Sequence, residues 1–158
     1  MLNWKVKIMS LEKLVLMSNK YGANPEYVLA GGGNTSFKDD EFMYVKGSGT
    51  ALATITEGGF VKMKRDALNQ MMTKEYSKDD DKREAEALVD MMNARADVIN
   101  GGRPSVEALL HNLFPQKYVL HLHPAIVNGI TCGVDGEKQQ KNYSPNAFGF
   151  QLQSQAIF

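Results

Sequence analysis

Lys117-Tyr118-Val119-Leu120-His121-Leu122-His123-Pro124 is the stretch best suited to chemistry. It reads as a strand that ends in His-x-His and turns at a proline. Residues i and i+2 of a strand share a face, so His121 and His123 present their imidazoles side by side, while Tyr118, Leu120 and Leu122 point the other way. Two neutral imidazoles at that spacing can take one borderline divalent ion, most often zinc. The alternative is one hydrogen-bonded histidine beside one surface histidine. The only other histidine, His111, lies just upstream on an expected helix. Glu107 precedes it by one turn, and an i,i+4 contact is the default for that pair.

Three loops could hold an anion. Gly31-Gly32-Gly33 is followed by Asn34, Thr35 and Ser36. Consecutive glycines allow positive φ and close approach of a ligand, and the amide and hydroxyl groups that follow complete an anion cradle. A flexible turn is the other outcome for this segment alone. Lys46-Gly47-Ser48-Gly49-Thr50 repeats the feature with a hydroxyl and a nearby cation. Two such loops at one end of adjacent strands could close on a single phosphate, which moves the expectation from turn to site. Gly101-Gly102-Arg103-Pro104-Ser105 then leads into a helix, with Pro suited to its first turn and Ser a capping type. Ser105 and the free N–H groups there would be a third anion-binding element. Glu107 falls in the first turn, where the helix dipole favours a carboxylate in any case. The spacing matches neither a P-loop nor a dinucleotide-binding fingerprint.

The elements that must position these groups follow from periodicity. Leu11, Leu14, Val15 and Ser18 mark an amphipathic helix over 10–21, with Gly22 a natural stop. Strands are expected at 35–38 and 42–46 around a turn at Asp39, Asp40 and Glu41, and another at 59–63. Helices follow at 64–76, with Leu68, Met71 and Met72 inward, and at 82–95, with Ala85, Leu88, Val89 and Met92 inward. Residues 74–83 are a solvated charge run. A short helix over 125–131 starts after Pro124, and the tail over 132–158 shows no clear period.

At 158 residues the chain has the size of one domain. Its 18 basic and 18 acidic side chains cancel, so nothing suggests a nucleic-acid or anionic-membrane surface. The N-terminus does not read as a signal peptide, and no stretch approaches the length of a membrane span. A single cysteine, Cys132, fits a reducing, cytoplasmic setting.

Gly31-Gly32-Gly33-Asn34-Thr35-Ser36, Lys46-Gly47-Ser48-Gly49, and Pro104-Ser105-Val106-Glu107 followed by His121-Leu122-His123-Pro124 resemble, in this order, the class II aldolase/adducin superfamily. The wording of the loops is closest to the aldolase part of rhamnulose-1-phosphate aldolase/alcohol dehydrogenase proteins. The resemblance covers residues 10–136 and implies one class II aldolase-like domain over 1–158, incomplete after about residue 136. It implies an α/β fold, a three-layer α/β/α sandwich on a largely antiparallel central sheet, assembled as a homotetramer. It makes His121 and His123 two of three ligands to zinc or another divalent metal, and Glu107 the catalytic acid/base. Gly33, Asn34, Ser48, Gly49 and Ser105 would hold the phosphate of a sugar phosphate. The implied activity is retro-aldol cleavage of a ketose phosphate. The alternatives are a dehydratase or epimerase of the same superfamily, or a non-catalytic adducin-like or truncated domain. Two departures stand out: Val106 occupies the place of a second serine, and no histidine follows His123.

Overall fold

A computed structural model of the chain describes residues 2–98 and 101–143, so the expectations for 144–158 lie outside the described residues. Helix α1 (Leu2–Gly22) is followed by strands β1 (Asn34–Lys38), β2 (Phe42–Lys46) and β3 (Phe60–Lys64). Then come α2 (Arg65–Thr73), α3 (Asp80–Asn93), α4 (Ala108–Leu113), β4 (Tyr118–His121), α5 (Ala125–Thr131) and α6 (Gly136–Tyr143). The strands form one sheet in the order β3-β2-β1-β4, each neighbouring pair antiparallel. The β1–β2 turn forms because the Asp39 carboxylate accepts from the backbone N–H groups of Glu41 (3.0 Å) and Phe42 (2.7 Å).

Period-two alternation sorts the strand residues between two cores. Phe37, Tyr44 and Phe60 pack with Leu14 of α1 on one face. Met43, Val45, Val61 and Met63 pack on the other face with Leu68 and Met71 of α2, Met91 of α3, and Ala94 and Ala108. Helices on both faces of an antiparallel sheet give the expected three layers, and the fold is α/β. No helix of the described residues is long and apolar enough to cross a membrane.

The buried stripe of α3 differs from the expectation. Ala87 and Met91 face the core, while Leu88 (42% exposed) and Val89 (58% exposed) face outward. The helix end is stitched to β3 by Lys64 N–H to the Ala94 carbonyl and Ala96 N–H to the Lys62 carbonyl, both 2.8 Å. Those backbone bonds fix the rotation of α3 and override its side-chain hydrophobicity. Met72, expected inward, is likewise exposed.

One face of β1 is polar and yet buried. Asn34, Ser36 and Lys38 alternate along the strand and turn toward α4. The Ser36 hydroxyl meets His111 Nδ1 at 2.8 Å, and Lys38 Nζ donates to the His111 carbonyl. Asn112 bridges to α2 through Arg65 Nε (3.1 Å) and Asn69 Oδ1 (2.8 Å). His111 therefore does not make the side-chain contact with Glu107 expected from their spacing. The backbone bond from His111 N–H to the Glu107 carbonyl (3.0 Å) links them instead.

Two outcomes follow. At Gly22 an added Cβ would lie 2.5 Å from the Ala53 nitrogen, so Gly22→Ala is expected to lower stability by about 1–3 kcal/mol in chemical denaturation. Burial, reinforced by His121, lowers the His111 imidazole from 6.5 to about 4, against the opposing pull of Glu107. Between those values the unfolded chain binds a proton that the folded chain refuses, so stability falls on acidification from pH 6.5 to 4. The loss amounts to roughly 3 kcal/mol. Denaturation midpoints measured across that window should fall less steeply in His111→Asn.

Candidate active site

The antiparallel order brings the start of β1 and the ends of β2 and β4 to one end of the sheet. Asn34 registers opposite His121 across β1 and β4. Gly33, just before the strand, has φ +71°, and a Cβ there would lie 3.1 Å from the His121 carbonyl oxygen. Conformation and crowding both demand glycine at that point. The His123 N–H donates to the Tyr27 carbonyl at 3.0 Å, which holds the second histidine in place beyond the strand.

The second and third loops are joined through the end of β2. Gly47 bridges Pro104, Ser48 N–H donates to the Arg103 carbonyl (2.8 Å), and Ser105 N–H donates to the Lys46 carbonyl (3.2 Å). Residues 103–105 are thus drawn into extended pairing, and α4 begins only at Ala108. The helix start expected at Pro104 and Ser105 is displaced for that reason. Ser105 instead accepts from the Glu107 N–H through its hydroxyl, at 3.3 Å. Gly49 adopts φ +82° with open space around its Cα.

Lys46 ties this loop pair to the glycine loop. Its ammonium donates to the carbonyls of Thr50 (2.8 Å) and Gly31 (3.4 Å). Burial lowers its pKa, while the Glu107 carboxylate works in the opposite direction. In the sequence this lysine is only a nearby cation; its place at the end of β2, directly before Gly47, is the one local signal of its role.

Glu107 stands immediately before α4 and reaches across to the sheet. Its Oε2 accepts from Asn34 Nδ2 at 2.8 Å. Its Oε1 lies 3.6 Å from His121 Nδ1 and 3.8 Å from His123 Nε2. The two histidine Nε2 atoms are 3.0 Å apart, so the paired imidazoles expected from the sequence are brought together. Burial lowers the pKa of His121, with His123 adding to it and Glu107 opposing. Its Nδ1 is buried without a hydrogen-bond partner. One donor atom each from Glu107, His121 and His123 lies within 4.8 Å of the other two. Two imidazoles beside a carboxylate, with one ring nitrogen buried and unbonded, fit a borderline divalent cation. His111 lies near this cluster, its ring 5.8 Å from that of His121, but its Nδ1 is engaged by Ser36.

Glu107, His121, His123, Asn34 and Gly33 therefore form one cluster. Ser105 adjoins it through Glu107, and Ser48 and Gly49 lie on the neighbouring loop. The Asn34 amide, expected at a phosphate, is directed to Glu107. No local signal could reveal a partner 73 residues away.

The chain matches the family model described as "Class II Aldolase and Adducin N-terminal domain" over residues 12–154. It is 33% identical over 147 residues to a Bacillus subtilis (strain 168) protein named uncharacterized oxidoreductase YuxG. That alignment covers 87% of this chain and 20% of the relative, so the chain spans a fifth of that protein's length. Among solved structures it resembles the N-terminal class II aldolase domain of a conserved protein from Thermoplasma acidophilum. The TM-score is 0.67 and the identity 28%, covering 84% of this chain and 63% of that one. With sheet order, loop chemistry and family match in agreement, the chain belongs to the class II aldolase and adducin N-terminal domain family.

Proposed function

We propose that this domain is a metal-dependent aldehyde-lyase that cleaves a ketose phosphate by retro-aldol chemistry. The observation that carries this proposal is the placement of Glu107, held by Asn34 at 2.8 Å and flanked by two imidazoles. A carboxylate so placed can move a proton at the carbon whose bond to its neighbour breaks. His121 and His123, with Glu107 in reach, would hold a divalent cation, zinc by family resemblance, which when bound supplies Lewis-acid stabilisation of the enediolate charge.

The other residues bind and orient the substrate. Gly33, Ser48, Gly49 and Ser105 receive the phosphate, with the Lys46 ammonium behind them offsetting its charge. Asn34 keeps Glu107 turned toward the reacting carbon, which converts remote phosphate binding into alignment of the bond. In cleavage Glu107 takes the proton of the hydroxyl beside the C–C bond, and as that bond breaks the aldehyde forms and the electron pair passes to the enediolate fragment. Glu107 then returns a proton to the carbon that carried the new carbanion, leaving an aldehyde and a ketone phosphate. A homotetramer working in the cytoplasm completes the proposal; the single cysteine, Cys132, is exposed, which suits a reducing compartment.

A panel of ketose 1-phosphates assayed for aldehyde release tests this. Glu107→Gln should lower turnover about 10²–10⁴-fold while zinc content is retained. His121→Ala should lose both zinc and turnover. A metal-free protein with full activity, or equal rates for Glu107→Gln and parent, overturns it.

A further inference from the structure

Helix α4 carries Glu107 at its start, yet it has only six residues and cannot define its own axis. Its apolar anchoring rests on Ala108 and Leu109, which pack against the core. Ala108 is buried, while Leu110 and Leu113 are exposed. Apolar contact is also non-directional, so it sets position better than rotation. Directional contacts come from α2, through Asn112 to Arg65 and Asn69 at the far end of α4, and, next to Glu107, from one face of β1. Asn34, Ser36 and Lys38 each point at the 107–111 segment, with exposures of 0%, 0% and 2%. Asn34 bonds the Glu107 carboxylate, Ser36 the His111 ring, and Lys38 the His111 carbonyl.

We propose that Ser36, Lys38 and His111 are positioning residues that fix the rotation of α4 and thereby hold the Glu107 carboxylate on Asn34 beside the imidazole pair. This rests on the proposed role of Glu107. Ser36 pairs with Val45 on one side and Val119 on the other, so an apolar residue would suit that point of the sheet. Burying a hydroxyl, an imidazole and an ammonium there is unfavourable, and the His111 Nε2 is left without a hydrogen-bond partner, so a purely space-filling role is a poor account of these residue types. The coupling route is short. His111 N–H donates to the Glu107 carbonyl at 3.0 Å, so rotation at His111 moves the Glu107 backbone directly.

Exchange of the Asn34 side-chain amide protons with water, followed by NMR on the full chain, reports the Asn34–Glu107 bond without needing metal or turnover. Ser36→Ala should speed that exchange about tenfold, while the backbone amides of Phe37 and Tyr44 stay within about twofold of parent. His111→Asn, which keeps a polar atom near the Nδ1 position, should remain close to parent, and His111→Leu should follow Ser36→Ala. If the leucine variant does not fold, Ser36→Ala decides. Unchanged Asn34 exchange in Ser36→Ala overturns the proposal, as does equal acceleration at Asn34 and Phe37, which marks a merely structural role. On any ketose phosphate the parent cleaves, Ser36→Ala should lower kcat with KM unmoved. Absence of cleavage by the parent overturns the aldolase proposal and leaves the NMR outcome intact.

Discussion

The 2.8 Å hydrogen bond between Asn34 and Glu107 is the constraint on which the site depends. It joins the entry of β1 to the loop before α4. A carboxylate beside two imidazoles would otherwise be free to turn onto either ring. A neutral amide donor restrains the carboxylate through a charge-assisted hydrogen bond and so fixes its aim. Everything around the pair serves that geometry. Gly33 lets the chain pass beneath His121, Lys46 ties the glycine loop to the Thr50 loop, and the Gly47–Pro104 bridge brings Glu107 to the end of the sheet.

Lysine, serine and histidine inside a small domain oppose stability unless each finds a partner. Lys38 illustrates the balance. Burial, and then the nearby positive charge of Arg65, lowers its pKa to about 8. Its ammonium is retained against a helix-end carbonyl, where a cation is favoured by the unsatisfied C=O groups. The apolar core lies on the same side of the sheet but further along, around Met43, Val45 and Met63. Polar precision near α4 and apolar adhesion around α2 and α3 thus divide one layer of the sandwich between them.

Much of this was legible in the chain. Alternation along 42–46 and the Asp39 turn are local patterns, and both form; the strand expected to run through His-x-His ends at His121, with His123 held beyond it by the Tyr27 carbonyl. The first two glycine-bearing loops meet at one end of the sheet because the strands that carry them are antiparallel, and backbone pairing of residues 103–105 with the end of β2 draws in the third. Other features needed information from afar. The outward turn of Leu88 and Val89 is decided by backbone bonds between the end of α3 and β3, which no helical periodicity encodes. Asn34, Ser36 and Lys38 carry the pattern of a solvent-facing strand side, and only packing of α4 over them reveals that they face inward. The spacing of Glu107 and His111 suggested a pair, but each side chain bonds a different residue of β1.

The pairing of β1 with β4 has a consequence for how binding competence arises. The two strands are separated in sequence by the whole of β2, β3, α2, α3 and α4, so their union closes a long loop and belongs among the slow, high-contact-order events of folding. The anion loops exist earlier in the chain, but the imidazoles arrive only when that last strand docks. A nascent chain lacking β4 therefore has a cradle and no metal donors. Once the strand is seated, any cation held between its histidines and Glu107 contributes its affinity to the fold as a whole, by mass action.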